Sequence, residues 1–208
     1  MTKWIIIALL LLLIGMLVLA FVVTQIENHQ ARKNKAYTSG RTAQSSGHSN
    51  TAIVVFSRSG NTGVLANHIA HKTSGRMYEI TAEDYELGIP GWIRALKDAR
   101  NHIATIQPAT IDLRGYETVY LGSPIWLYSP APPIWQFASN NDFTGKRVVL
   151  FNSFNSKFEQ GFIDEFEALV RLNGATDFAH RYVNRGRMGD QISSAELTEA
   201  FDAQAQEF

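Results

Sequence analysis

Residues 52–63, AIVVFSRSGNTG, constrain the fold of this chain more tightly than any other stretch, because an apolar run breaks there into hydroxyls and glycines. Ala52, Ile53, Val54, Val55 and Phe56 are β-branched or aromatic apart from the first. Five consecutive apolar residues of this kind read as a strand buried on both faces, since a half-exposed strand would alternate with polar residues. Ser57, Ser59 and Thr62 then offer three hydroxyls, Gly60 allows a turn through positive φ, and residues 64–70 resume at helical spacing. The pattern is strand, tight loop, helix N-terminus.

A loop of this kind gathers backbone N–H groups at the positive end of a helix dipole, where a phosphate is readily held. A nucleoside triphosphate loop needs a Lys after its second glycine, and neither Gly60 nor Gly63 has one. A dinucleotide loop needs three glycines in G-x-G-x-x-G, and only two are present. What remains suits a single terminal phosphate held by hydroxyls and amides. The alternative is a Ser/Asn/Gly connection that only caps a helix.

Ser57-Arg58-Ser59-Gly60-Asn61-Thr62 resembles the FMN-phosphate loop of the flavodoxin family, [ST]-x-[ST]-G-N-T directly after the first strand. The resemblance implies that Ser57, Arg58, Ser59, Gly60, Asn61 and Thr62 form the phosphate end of an FMN site.

Four further apolar runs read as strands, at residues 77–80, 118–122, 147–152 and 178–183, alternating with helical segments at 64–70, 89–100, 162–172 and from 194, the last opening on a capping-box pattern from Ser194 to Leu197 that lacks the usual Glu. Such alternation specifies an α/β fold with a doubly wound parallel five-stranded sheet. The resemblance supplies the flavodoxin-like order 2-1-3-4-5. The loop expected after residue 122 carries Trp126 and Tyr128, flat apolar surfaces of the kind a three-ring flavin needs, between Pro124 and Pro130. In one subfamily the corresponding segment resembles G-x-P-I-W-[WY]-G-x-x-P-x-P-I. Gly122, Pro124, Ile125, Trp126, Pro133 and Ile134 match it, whereas Leu127 and Tyr128 replace the aromatic-Gly pair and leave open which ring covers the flavin. A core role for Trp126 is the competing reading. Ser153 and Asn155 follow the fourth strand, where the family places contacts to the ring edge.

Residues 4–23 contain no charge and are nearly all Ile, Leu, Val, Met or Phe. At helical rise they measure about 30 Å, the thickness of a bilayer's hydrocarbon core. A signal peptide would have a shorter apolar region and an A-x-A site before Thr24, which is missing. The expected organisation is a transmembrane anchor at 1–26, a flexible polar tether at 27–50 and the folded domain at 51–208. Arg32, Lys33, Lys35 and Arg41 follow the span against Lys3 before it, which predicts a single-pass protein with a cytoplasmic domain.

The chain contains no cysteine, which excludes thiolate catalysis, disulfides and cysteine-ligated clusters and leaves redox chemistry to a bound cofactor. Since the net charge is zero and residues 1–47 set five basic residues against Glu27 alone, the remainder is mildly acidic. That gives no reason to expect nucleic acid. His68 and His71 stand at i, i+3 with no third ligand in view, so no metal is expected, and Glu83, Asp84 and Glu86 read as solvated loop charges.

The leading expectation is a membrane-tethered, FMN-binding electron-transfer protein that serves a redox partner protein or a quinone. One alternative is an FMN-dependent NAD(P)H or quinone oxidoreductase, with Arg181, Arg185 and Arg187 meeting nucleotide phosphates. Another is an interaction module that has lost its flavin, which the missing glycine after the fourth strand would fit.

Overall fold

In the computed structural model, which describes residues 2–39, 49–187 and 190–204, the buried run becomes β1 (Thr51–Phe56), second in the sheet. It pairs in parallel with β2 (Arg76–Ile80) on one side and β3 (Thr118–Trp126) on the other. β3 pairs in parallel with β5 (Arg147–Phe154), and β5 with β6 (Asp177–Asn184). The two-residue β4 (Ser129–Pro130) folds back antiparallel on the end of β3. The order β2-β1-β3-β5-β6 is the expected 2-1-3-4-5 once β4 is set aside.

Both faces of β1 are covered, as the unbroken apolar run requires. Ala52, Val54 and Phe56 join a core with Ile134 and Phe137 of α4 (Pro132–Asn140) and Phe166 of α5 (Gln160–Leu172). Ile53 and Val55 join a second core with Val64, Leu65 and Ile69 of α2 (Asn61–Thr73) and Leu197 and Phe201 of α6 (Ser194–Ala203). Each fully buried Leu or Ile of this kind stabilises the fold by about 1.5–3 kcal/mol. A 3-10 turn (Glu83–Tyr85) leads into α3 (Ile89–Asp98), which presents Gly91 and Ala95 inward.

Three features differ from the sequence reading. The expected flexible tether is helical through Ser39: α1 runs from Thr2 to Ser39, residues 40–48, including Arg41, lie outside the described residues, and Ser49 and Asn50 lead into β1 without helix. The polar stretch has no apolar period, but it continues a helix whose nucleation cost is already met, and its polar side chains find partners on the domain. Next, β3 continues through Pro124 and Ile125 to Trp126, where a loop was expected. Pro124 lies beyond Gly122, the last residue paired with β1, where a missing N–H is tolerated. Finally, α6 is capped one residue earlier than the pattern starting at Ser194 suggests. Ser193 Oγ accepts from Glu196 N–H at 3.2 Å and the Glu196 carboxylate accepts from Ser193 N–H at 2.7 Å, a complete capping box.

Candidate functional site

The carboxyl ends of β1, β3 and β5 meet at a cavity of about 240 Å³, at the point where the strand order reverses. The β1–α2 loop contributes Ser57, Arg58, Ser59, Asn61 and Thr62, the end of β3 contributes Pro124, Ile125, Trp126 and Leu127, and the end of β5 contributes Ser153 and Asn155. Of the residues expected from sequence, only Gly60 and Tyr128 are not among the lining. Gly60 is the N-cap of α2, at φ 82°, and offers no side chain to the helix's first amides. Tyr128 follows Leu127 in a turn where both have positive φ, and its ring lies beneath Lys157 Nζ, 5.2 Å from the centroid. Of the two rings singled out in the sequence, Trp126 alone lines the cavity, together with Trp92 and Phe154.

The loop is held from within and from across the sheet. Ser57 Oγ accepts from Gly63 N–H at 3.1 Å, which fixes the hydroxyl at the mouth of the helix. The Thr62 and Ser153 hydroxyls share a hydrogen bond of 2.8 Å that ties the loop to β5. Trp126 is half-buried and meets Phe56 and Tyr85 edge-on, with centroids 5.6 Å and 5.2 Å away. Its two sequence readings are therefore joined in one residue, which packs against the core and also forms a wall of the cavity. Burial, with Asp98 beside it, pushes the Tyr85 hydroxyl up to about 12, so this neighbour stays neutral.

Arg58 faces the cavity, but its guanidinium is engaged. It pairs with Glu27 of α1 and donates to the carbonyls of Tyr85, Glu86 and Gly88. Arg58 thus fastens the loop to α1 and to the approach to α3, and its charge is already matched.

Residues that the sequence reading did not place here also build the site. Glu27 lines the cavity with one carboxylate oxygen on Arg58. Asn34 of α1 is 1% exposed; its Nδ2 donates to Ser59 O at 2.8 Å and Asn61 Oδ1 at 2.6 Å, and its Oδ1 accepts from Gln30 Nε2 and Ser194 Oγ. Arg185 is also 1% exposed, donates to Asn61 Oδ1 and Ile192 O, and has no carboxylate partner among the described residues. Its Nε is buried without a partner, and burial lowers its pKa to about 10, which still leaves it charged at neutral pH. A buried cation with no counter-charge, set behind a helix N-terminus whose N-cap residue has no side chain, fits an anion that arrives from outside. Trp92 and Leu96 of α3 complete the wall.

The other expected arginines do not form an exposed cluster. Arg181 donates to Phe201 O and covers the Phe201 ring, so only Arg187 is left exposed. His68 of the i, i+3 histidine pair bonds Asp202 of α6 at 2.9 Å.

Residues 50–161, more than half the chain, match the family described as Flavodoxin. No curated protein sequence matches. Among solved structures, a protein assigned as a flavoprotein from Bacteroides uniformis is similar at TM-score 0.56 and 21% identity, covering 74% of this chain and 97% of its own. One similarly assigned, from Bacteroides eggerthii, reaches 0.51 at 17%, covering 76% and 98%. A flavoprotein from Lactobacillus acidophilus, solved in complex with FMN, reaches 0.50 at 20%, covering 64% and 93%. These similarities bear on the fold, and with the match over residues 50–161 they lead to one conclusion: the chain belongs to the flavodoxin family.

Proposed function

We propose that this protein is a membrane-anchored electron carrier whose chemistry is that of a bound FMN. The observation that carries the reading is the pairing, in one cavity, of a hydroxyl-bearing helix N-terminus backed by the uncompensated Arg185 with the aromatic wall of Trp126. FMN needs both, a dianion site and a flat apolar face, and the L. acidophilus relative is a complex with FMN. Ser57, Ser59, Asn61 and Thr62 would hold the phosphate, and Trp126, Pro124 and Ile125 would border the ring, with Ser153 and Asn155 near its edge. The flavin supplies the capacity to take up and release electrons. The chain excludes water from one side through Trp126, Phe56 and Tyr85 and holds the phosphate loop rigid through Asn34 and Arg58.

The apolar run of α1 is long enough to span a bilayer, and the excess of basic residues after it favours a cytoplasmic domain. A reporter fused after Phe208 is expected to be active only in its cytoplasmic form.

The cofactor reading is tested by absorbance and mass of what co-purifies, then by titration. Ser59→Ala with Thr62→Ala is expected to weaken FMN by about 3–6 kcal/mol and to leave riboflavin, which has no phosphate, unchanged. Trp126→Ala is expected to weaken both alike. Equal losses of FMN and riboflavin in the hydroxyl variant would mean that the loop shapes the site without holding the phosphate. Rapid turnover of NAD(P)H with a soluble quinone would make the protein a reductase instead of a carrier.

A further inference from the structure

α3 is built the wrong way round for a helix that serves only the core. Its inward positions are the small residues Gly91 and Ala95, while Ile93 and Leu96 are 54% and 42% exposed. Leu87, just before the helix, is 39% exposed. Trp92, Arg94 and Lys97 stand among these apolar side chains. An indole and basic residues interleaved with exposed aliphatics is the composition of a helix that lies in a membrane interface.

The height of this surface follows from Arg58. Its guanidinium bonds Glu27 of α1 and also the carbonyls of Tyr85, Glu86 and Gly88, on both sides of Leu87. Leu87 is therefore no more than a few side-chain lengths from Glu27. Glu27 in turn follows Val23, the last residue of the apolar run, by four residues, about 6 Å of helix. The headgroup zone of one leaflet is about 5–7 Å deep, so the span ends where Leu87 and the start of α3 begin. α3 also packs against α1 directly.

We infer that Leu87, Ile93 and Leu96 form a lip that rests in the headgroup region of the bilayer carrying α1, so that the cavity opens at the membrane surface. The inference rests on the anchor and cavity described above and narrows the electron partner to one reached from the membrane phase. Leu96 belongs to the cavity wall and the lip at once, with Trp92 beside it in the wall, which joins the mouth of the site to the lipid.

The test exploits a chain without cysteine, in which one introduced thiol is the only one. Full-length Leu87→Cys and Ile93→Cys, each labelled with a polarity-sensitive fluorophore, are reconstituted into phosphatidylcholine/phosphatidylglycerol vesicles containing headgroup-region nitroxide lipid. Leu172→Cys, 84% exposed at the far end of α5, serves as the aqueous reference, and Leu13→Cys, at mid-span and read in matching vesicles that carry mid-acyl-chain nitroxide lipid, as the membrane reference. Both lip labels are expected to be blue-shifted and severalfold more quenched than the label at 172. Quenching at 13 with lip labels indistinguishable from 172 would overturn the lip alone and point to a soluble partner or a second copy on this surface. No quenching at 13 would remove the anchor, and the lip with it. A cooperative melt of each labelled chain shows that the comparison is between folded proteins.

Discussion

Asn34 and Gly60 meet at the point where the loop turns, and each explains the other. Gly60 sits at φ 82°, and a Cβ built on it would lie 2.9 Å from Asn34 Cβ. Gly60→Ala therefore adds left-handed strain to a clash, and a loss of about 1–2 kcal/mol is expected in thermal melts of the full chain in detergent. Asn34→Leu removes the donor to Ser59 O and Asn61 Oδ1, with an expected cost of about 1–3 kcal/mol and weaker FMN binding. Arg185→Met is expected to weaken FMN by about 1–3 kcal/mol while sparing riboflavin, since its charge matters only to the phosphate; equal effects on the two ligands would reduce Arg185 to a packing residue. That Ser57, Ser59, Asn61 and Thr62 share one cavity wall was legible in the sequence because their loop is local, all within six residues of one strand end. Asn34 and Arg185 were not, because they reach Asn61 across 27 and 124 residues and carry no motif of their own.

At the scale of elements, the strands and their order could be read from apolar runs because a parallel strand is buried on both faces, as β1 is. The far part of α1 could not. Its residues are polar and aperiodic, and what orders them is the pairing of Glu27 with Arg58 and of Asn34 with the loop. Removing residues 1–47 leaves both cores intact, apart from the partly buried Tyr37, so the truncated domain is expected to melt cooperatively. Unlike a domain freed from a passive tether, it should hold FMN less tightly than the full chain. Isothermal titration of the two proteins in the same detergent measures the difference, and identical affinities would mean that α1 contributes nothing to the loop.

Across the whole molecule, a polar thread runs beneath the cavity from His180 of β6 to Asn152 of β5 and on to Ser123 of β3. Burial lowers His180 to about 4, below the unfolded value near 6.5. Between those values the unfolded chain binds the extra proton, so stability is at its full value above about pH 6.5 and falls as the pH drops toward 4, by about 2–3 kcal/mol. His180→Gln keeps a donor for Asn152 and is expected to flatten that part of the pH profile of melting; an unchanged slope would assign it to the carboxylates. The single carboxamide of Asn34 has a different kind of reach. It joins α1, the β1–α2 loop and Ser194 at the start of α6, so pulling α1 away from the domain draws on the same hydrogen bonds that hold the loop. On the function proposed above, membrane attachment and cofactor retention share one latch: lateral force on α1, or its severance from the domain, would be felt first as a faster loss of flavin.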